Sequence, residues 1–328
     1  MKLRTVSAIC GILILSLGRS DSAPAKPMVW LCPPGFNNGQ PARELFEHPD
    51  EWTQTRSMID VMGFADHNLQ TQFTDQELSG WLAMLKKWNI KLGLEVGAVK
   101  PWGTTGAKVF GIEEKEWDRV QRLGGNVYAV AMDEPLTAVR YSLKQPDAYA
   151  VQETAAFIAL VRQHYPNMII GDIEPYPSIT LADHIAWIQA LNQRLAALNV
   201  RGIDFYRVDV NWTLYTVFGN GSWLEVKKLE DYCHSIHLPF SLIYWAADWN
   251  RLNRFGVGDD TAWYCSLMQQ GYDYALLQAA PDQYVIQSWD KCPSVAVPET
   301  QEYSFTRGAR DFLLKIVYPP PAPAQAAK

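Results

Sequence analysis

Charge is scarce in this chain. Only 20% of its 328 residues are Asp, Glu, Lys or Arg, and the cations form no long basic run. With a net charge of -6, that scarcity argues against nucleic acid or an anionic membrane surface as the main partner and favours neutral ones. Histidine is equally sparse at six, with no His-x-His or His-Glu-x-x-His, and the five cysteines stand too far apart for a zinc pattern. No Gly-x-Gly-x-x-Gly or Walker loop is present to cradle a nucleotide. The residues therefore point to no metal and no cofactor. The longest apolar run near the start, Val6 to Leu17, is about a dozen residues, short of the ~20 a helix needs to span a bilayer.

That run follows Lys2 and Arg4 and precedes Ala23-Pro-Ala25, the order of a cleaved secretory signal over residues 1–25. The expectation is an exported protein, secreted or periplasmic, with no stable membrane span once the signal is gone. Cys32, Cys233, Cys265 and Cys292 would then remain, and in an oxidising compartment four cysteines permit three complete pairings. The Pro/Ala-rich end, residues 319–328, reads as a disordered tail, leaving 26–318 as one domain. Nothing in the sequence bears on oligomeric state.

What the chain has in quantity is apolar and aromatic surface: 48% hydrophobic residues, 13 Trp and 15 Tyr. This is enough for a sizeable core with rings left to line a groove. Eight strand-like runs, bounded by Gly, Pro, Asn or Asp, recur about every 35 residues: Met28–Cys32, Ser57–Phe64, Lys91–Val96, Asn126–Met132, Met168–Ile173, Gly202–Val210, Phe240–Trp245 and Tyr284–Trp289. Between them lie helical patterns such as Asp75–Trp88, Glu113–Leu123, Ala148–Tyr165, Leu181–Leu198 and Trp223–Ser235. Thr74-Asp-Gln-Glu77 reads as a capping box, and Asn199 and Gly124-Gly125 as helix stops. Tyr272–Ala279 competes for the eighth strand. The later run is preferred because Pro281-Asp-Gln283 makes a natural turn into it, with Ser304 or Thr306 then capping a closing helix. Eight alternating units predict a single (β/α)8 TIM barrel.

In such a barrel the carboxyl ends of the strands form the active face, and nearly every strand here delivers an acid there. The most informative is Asn126-Val-Tyr-Ala-Val-Ala-Met-Asp-Glu-Pro135, an apolar strand running into two carboxylates and a proline. Burial beside that wall would raise a carboxyl pKa, as a general acid requires. Strand alternation lets only one of Asp133 and Glu134 face the mouth, and Glu134 is the preferred acid. Glu174, also followed by proline, Asp209 and Asp248 are the candidates for a second catalytic carboxylate. Glu95 and His67 stand at other strand ends as substrate contacts, with Asp66, Asp172 and Asp290 also placed there. For each, a cap or turn role is the ordinary alternative.

Rings fall at the same rim: Trp102, Tyr176, Trp212, Tyr244, Trp245, Trp249 and Trp289. Flat rings suit sugar faces, while carboxylates and amides suit hydroxyls; Asn68, Asn211, Asn250, Gln287 and Arg207 are further candidates for hydroxyl or carboxylate recognition. Trp30, Trp187 and Trp263 fall within regular elements and read as core.

On these residues the chain resembles the TIM-barrel glycoside hydrolases. Asp133-Glu134-Pro135 is similar to the Asn-Glu-Pro that ends strand four in one large clan, and Ser288-Trp289 closes strand eight in like manner. The resemblance implies an acid/base role for Glu134. It departs at strand seven, where the clan's glutamate nucleophile is expected and this chain has Tyr244-Trp-Ala-Ala-Asp-Trp-Asn250. The leading expectation is thus a secreted glycosidase acting on an oligo- or polysaccharide through paired carboxylates. The alternatives are a carbohydrate-binding barrel without hydrolysis, or a hydrolase or isomerase using Mg²⁺, Mn²⁺ or Ca²⁺.

Overall fold

The computed structural model describes residues 26–211, 219–245, 259–288 and 291–320. Eight parallel strands close on themselves in sequence order: β1 (Met28–Cys32), β2 (Val61–Ala65), β3 (Lys91–Val96), β4 (Val127–Asp133), β5 (Ile169–Tyr176), β6 (Phe205–Val210), β7 (Phe240–Tyr244) and β8 (Gln283–Gln287). The last strand pairs with the first along its whole length, Met28 with Gln283 through Cys32 with Gln287. This is a single (β/α)8 TIM barrel.

Helices return the chain after each strand. After β1 come α1 (Gln40–Glu47) and α2 (Thr53–Arg56), and after β2 come α3 (Asp66–Gln72) and α4 (Asp75–Trp88). Then follow α5 (Gly106–Arg122), the short α6 (Pro135–Thr137) with α7 (Asp147–His164), α8 (Leu181–Ala197), α9 (Trp223–Ser235), α10 (Asp260–Ala275) and α11 (Phe305–Phe312). The capping box forms as its sequence dictates: Thr74 accepts from the Glu77 amide and Glu77 reaches back to the Thr74 amide. Asn89 ends α4 and Asn199 follows α8, both at positive φ. Tyr272–Ala275 completes α10, so the eighth strand is the later run. No helix among the described residues is long and apolar enough to cross a membrane.

Several strand ends differ from the expectation by one to three residues or more, β6 starting at Phe205 and β8 ending at Gln287, and two of the differences are instructive. Ser57–Asp60 is a turn rather than the start of β2: Ser57 caps α2, and Asp60 accepts from the Val29 amide. More important, β5 continues past Ile173 through Tyr176, because Asp172 to Tyr176 stay in register with Tyr206 to Val210 of β6. Side chains alternate across a strand. Ile173 packs in the interior with Trp30, Val61, Ala129, Ala131, Phe205, Ile243 and Val285. Asp172, Glu174 and Tyr176 therefore face the helices.

The interior is filled by two large rings that need glycine opposite them. A Cβ on Gly93 would stand 2.1 Å from Trp30, and one on Gly171 2.0 Å from Phe205. Between sheet and helices lies the larger core, which includes Trp187 and Trp263. Tyr244 belongs there too, stacked on Tyr284 and tilted against Phe312, and not at the rim. All four described cysteines are unbonded, so none of the three disulfide pairings forms in this structure.

Candidate active site

Glu134 departs from its strand. Asp133 keeps the strand's inward parity with Ala129 and Ala131, but Glu134 turns at φ 48°, ψ 52°, a left-handed conformation that costs a residue with a Cβ about 1–3 kcal/mol. Its amide is held by the Ile173 carbonyl at 3.0 Å, and Pro135 then opens α6. The bend frees Glu134 from strict alternation, so both carboxyls feel the same neighbours. Lys100, in the loop after β3, forms an ion pair with Asp133. Burial, and then the charge of Asp133, raise the Glu134 carboxyl to about 7, against a smaller opposing pull from Lys100. Glu134 is thus poised to hold or release a proton near neutral pH.

Two other carboxyls point into the barrel beside it. Burial followed by the Asp133 charge lifts Glu95 to about 8, with Arg207 and Lys100 pulling the other way. Asp209 is pushed well above the carboxylate range, first by burial and then by Glu134, and accepts a hydrogen bond from the Trp245 indole. Asp133, Glu134, Glu95 and Asp209, with Lys100 and Arg207, form one charged group at the barrel mouth. It gathers ends of β3, β4 and β6.

A second carboxyl pair lies behind it. Asp66, at the start of α3, is raised to about 9 by burial and by the neighbouring Glu113 carboxyl, which accepts from the Gly97 amide at 2.8 Å. The Trp102 ring, 49% exposed, covers Gly97: a Cβ there would meet it at 2.8 Å. His67 is exposed on α3, and Asn211 follows β6 with its amide bonded to the Tyr176 carbonyl at 2.7 Å.

Glu174 and Tyr176 are not brought to the mouth. Glu174 is fully buried on the helix side of β5, where it accepts from the Leu136 amide at 2.6 Å, the Thr137 amide at 3.2 Å and the Thr137 hydroxyl at 2.8 Å. It caps the turn that carries Glu134 and is a positioning residue. Tyr176 turns outward as well, its hydroxyl accepting from the Ser222 amide at 2.7 Å and bonding Glu225 at the start of α9. Asp172 accepts from the Trp187 indole at 2.6 Å. Asp248, Trp212, Trp249 and Trp289, with Asn250 and Asp290, lie outside the described residues.

Lys100 was not among the sequence candidates, although it stands just past a strand end, where the acids were sought. Glu113 lay hidden because it sits mid-helix. Among the described residues no group of three or more His, Cys, Asp or Glu is arranged to hold a metal ion.

No protein-family model and no curated protein sequence matches the chain. In shape it is similar to the carboxyl transferase domain of Rhizobium etli pyruvate carboxylase, with TM-score 0.50 and 9% identity over 90% of this chain and 47% of that one. It is also similar to QR15, an aldolase, with TM-score 0.48 and 11% identity over 88% of this chain and 94% of that one. A glucosidase from Croceicoccus marinus gives TM-score 0.47 and 11% identity over 80% of this chain and 62% of that one. The first likeness shows the barrel fold alone, and the two below 0.5 add nothing to it.

Proposed function

We propose that the protein is an exported glycoside hydrolase that cleaves an oligo- or polysaccharide at the barrel mouth, with Glu134 as its proton donor. The observation that carries this reading is Glu134 itself: a carboxyl at the end of β4, bent out of the strand and raised to about 7 beside an ion-paired aspartate. Glu134 protonates the leaving glycosidic oxygen as the bond to the anomeric carbon breaks, and the oxygen of a water molecule finally bonds that carbon, its proton passing to a carboxylate. The reaction also needs a carboxylate that stays ionised meanwhile. Asp133 is ion-paired with Lys100, whereas burial and the neighbouring Glu134 push Asp209 well above the carboxylate range. Among the described carboxyls the anionic role falls to Asp133 rather than to Glu174 or Asp209, and Asp209 serves as a hydrogen-bond partner of the substrate. Trp102 and Trp245 offer ring faces at the same rim. Export rests on the charged, apolar and small-residue order of residues 1–25.

The test is hydrolysis of a panel of glycans by the purified protein, with Glu134→Gln as control. Hydrolysis that survives in the variant removes Glu134 from the mechanism. Glycan binding without hydrolysis by the natural chain makes this a binding barrel. Activity lost in EDTA and restored by a divalent ion makes it a metal enzyme.

A further inference from the structure

One buried cation in the barrel makes no close ion pair among the described residues. Arg207, on the inward face of β6, is 2% exposed, with its guanidinium 4.3 Å from the Trp30 ring centre and 4.9 Å from that of Phe205. Its Nε donates to the Ser241 hydroxyl at 2.9 Å and one terminal nitrogen to the Gln283 amide oxygen at 3.3 Å. Those bonds use two of the five N–H donors a guanidinium carries. Among the described residues no carboxylate stands within 4.0 Å of it. A buried cation left this way is costly, and it persists where a ligand supplies the missing charge.

Arg207 forms part of the wall of a cavity of about 260 Å³ that opens beside β1 and β2, together with Glu95, Asn68, Gln287, Phe36 and Phe64. The volume falls below the roughly 300–1,000 Å³ of pockets for drug-sized ligands, so it suits a single small unit. The guanidinium fork matches a planar carboxylate in two parallel bonds. With Glu95 in the same wall raised to about 8 and so mainly protonated near neutral pH, the site carries one positive charge, which a single negative charge balances and a doubly charged phosphate exceeds. Asn68 and Gln287 offer amides for hydroxyls, and Phe36 offers an apolar face.

We propose that this cavity binds the carboxylate of an acidic sugar, a uronic acid unit, with Arg207 as its counter-ion. Only the sugar class rests on the glycosidase reading; the carboxylate rests on Arg207. The test is calorimetric binding of D-glucuronate, D-galacturonate and D-mannuronate against the matching neutral hexoses and glucose 6-phosphate, using the full chain. At least one uronate binds about tenfold or more tighter than its neutral counterpart, the worth of a charge-assisted bidentate contact. Arg207→Met removes that preference, and Arg207→Lys keeps part of it. Equal affinity for acidic and neutral sugars, no binding of any of them, tighter binding of the phosphate, or a preference that survives in folded Arg207→Met overturns the proposal. If Arg207→Met does not fold, Ala65→Leu, which narrows the cavity without touching Arg207, takes its place. It is expected to lose uronate binding, and retained binding counts against the site. The two readings fail separately: uronate binding without glycan hydrolysis sinks the glycosidase, and hydrolysis of neutral glycans without uronate preference sinks the cavity assignment.

Discussion

Strands β4 and β5 end in nearly the same letters, Met-Asp-Glu134-Pro135 and Asp-Ile-Glu174-Pro175, and place their glutamates in opposite environments. Glu134 follows the last strand residue, turns at positive φ and faces the mouth. Glu174 lies inside a strand that runs two residues further, so alternation sends it to the helices. There it holds the amides of Leu136 and Thr137, the turn directly after Glu134. A Glu-Pro pair thus carries no function by itself. What decides is whether the strand has ended before the glutamate or after it, and in this molecule one glutamate braces the other.

Substitutions at the two ends should break this comparison in different ways. Glu134→Gln removes the proton but keeps the shape, so turnover on a hydrolysed glycan is expected to fall about 10²–10⁴-fold with folding intact. A melting curve beside the rate measurement checks both halves. Glu174→Ala should act on stability first: it leaves two amides without their acceptor, at roughly 1–3 kcal/mol each, visible in the denaturant midpoint. A folded, fully stable Glu174→Ala variant with turnover lost would contradict the bracing role.

Smaller effects sharpen the electrostatics of the β4 end. Lys100 pulls Glu134 downward, so Lys100→Met moves the fall of rate with rising pH to higher pH, and Asp133→Asn, removing the charge that raises Glu134, lowers its pKa. pH–rate profiles of the two variants should shift in opposite directions, apart from any loss of rate. The weakest expected effect lies behind the site. Asp66 is raised to about 9 when folded, against an ordinary unfolded value near 3.9. Between those values the folded chain holds a proton that the unfolded chain has lost, so this group costs stability as pH rises. Asp66→Asn should flatten that decline, and melting temperatures that fall equally steeply in both proteins would rule the group out.

Sequence alone carried the architecture far, because the signals were local and repeated: eight apolar runs, a capping box at Thr74, and helix stops at Gly124-Gly125 and Asn199. It carried the site only in part. Glu134, Asp209 and Glu95 stand where strand ends deliver them, but the length of β5 depends on pairing with β6, which is a long-range fact. Three extra strand residues turned Glu174 and Tyr176 outward. Arg207 was legible as a polar residue in a strand, while the absence of a close ion pair to it among the described residues was visible only once the barrel had closed. Lys100 and Glu113 were missed because a loop lysine and a helical glutamate look like ordinary solvent-facing residues until burial is known.

The central claim is that the β4 glutamate faces the mouth and holds its proton near neutral pH, and it can be measured without knowing the substrate. Carbon NMR of glutamate side-chain carboxyls, titrated in the natural chain and in Glu134→Gln, should show one resonance titrating near 7 that vanishes in the variant. A Glu134 resonance titrating in the ordinary range near 4.3 would contradict the account.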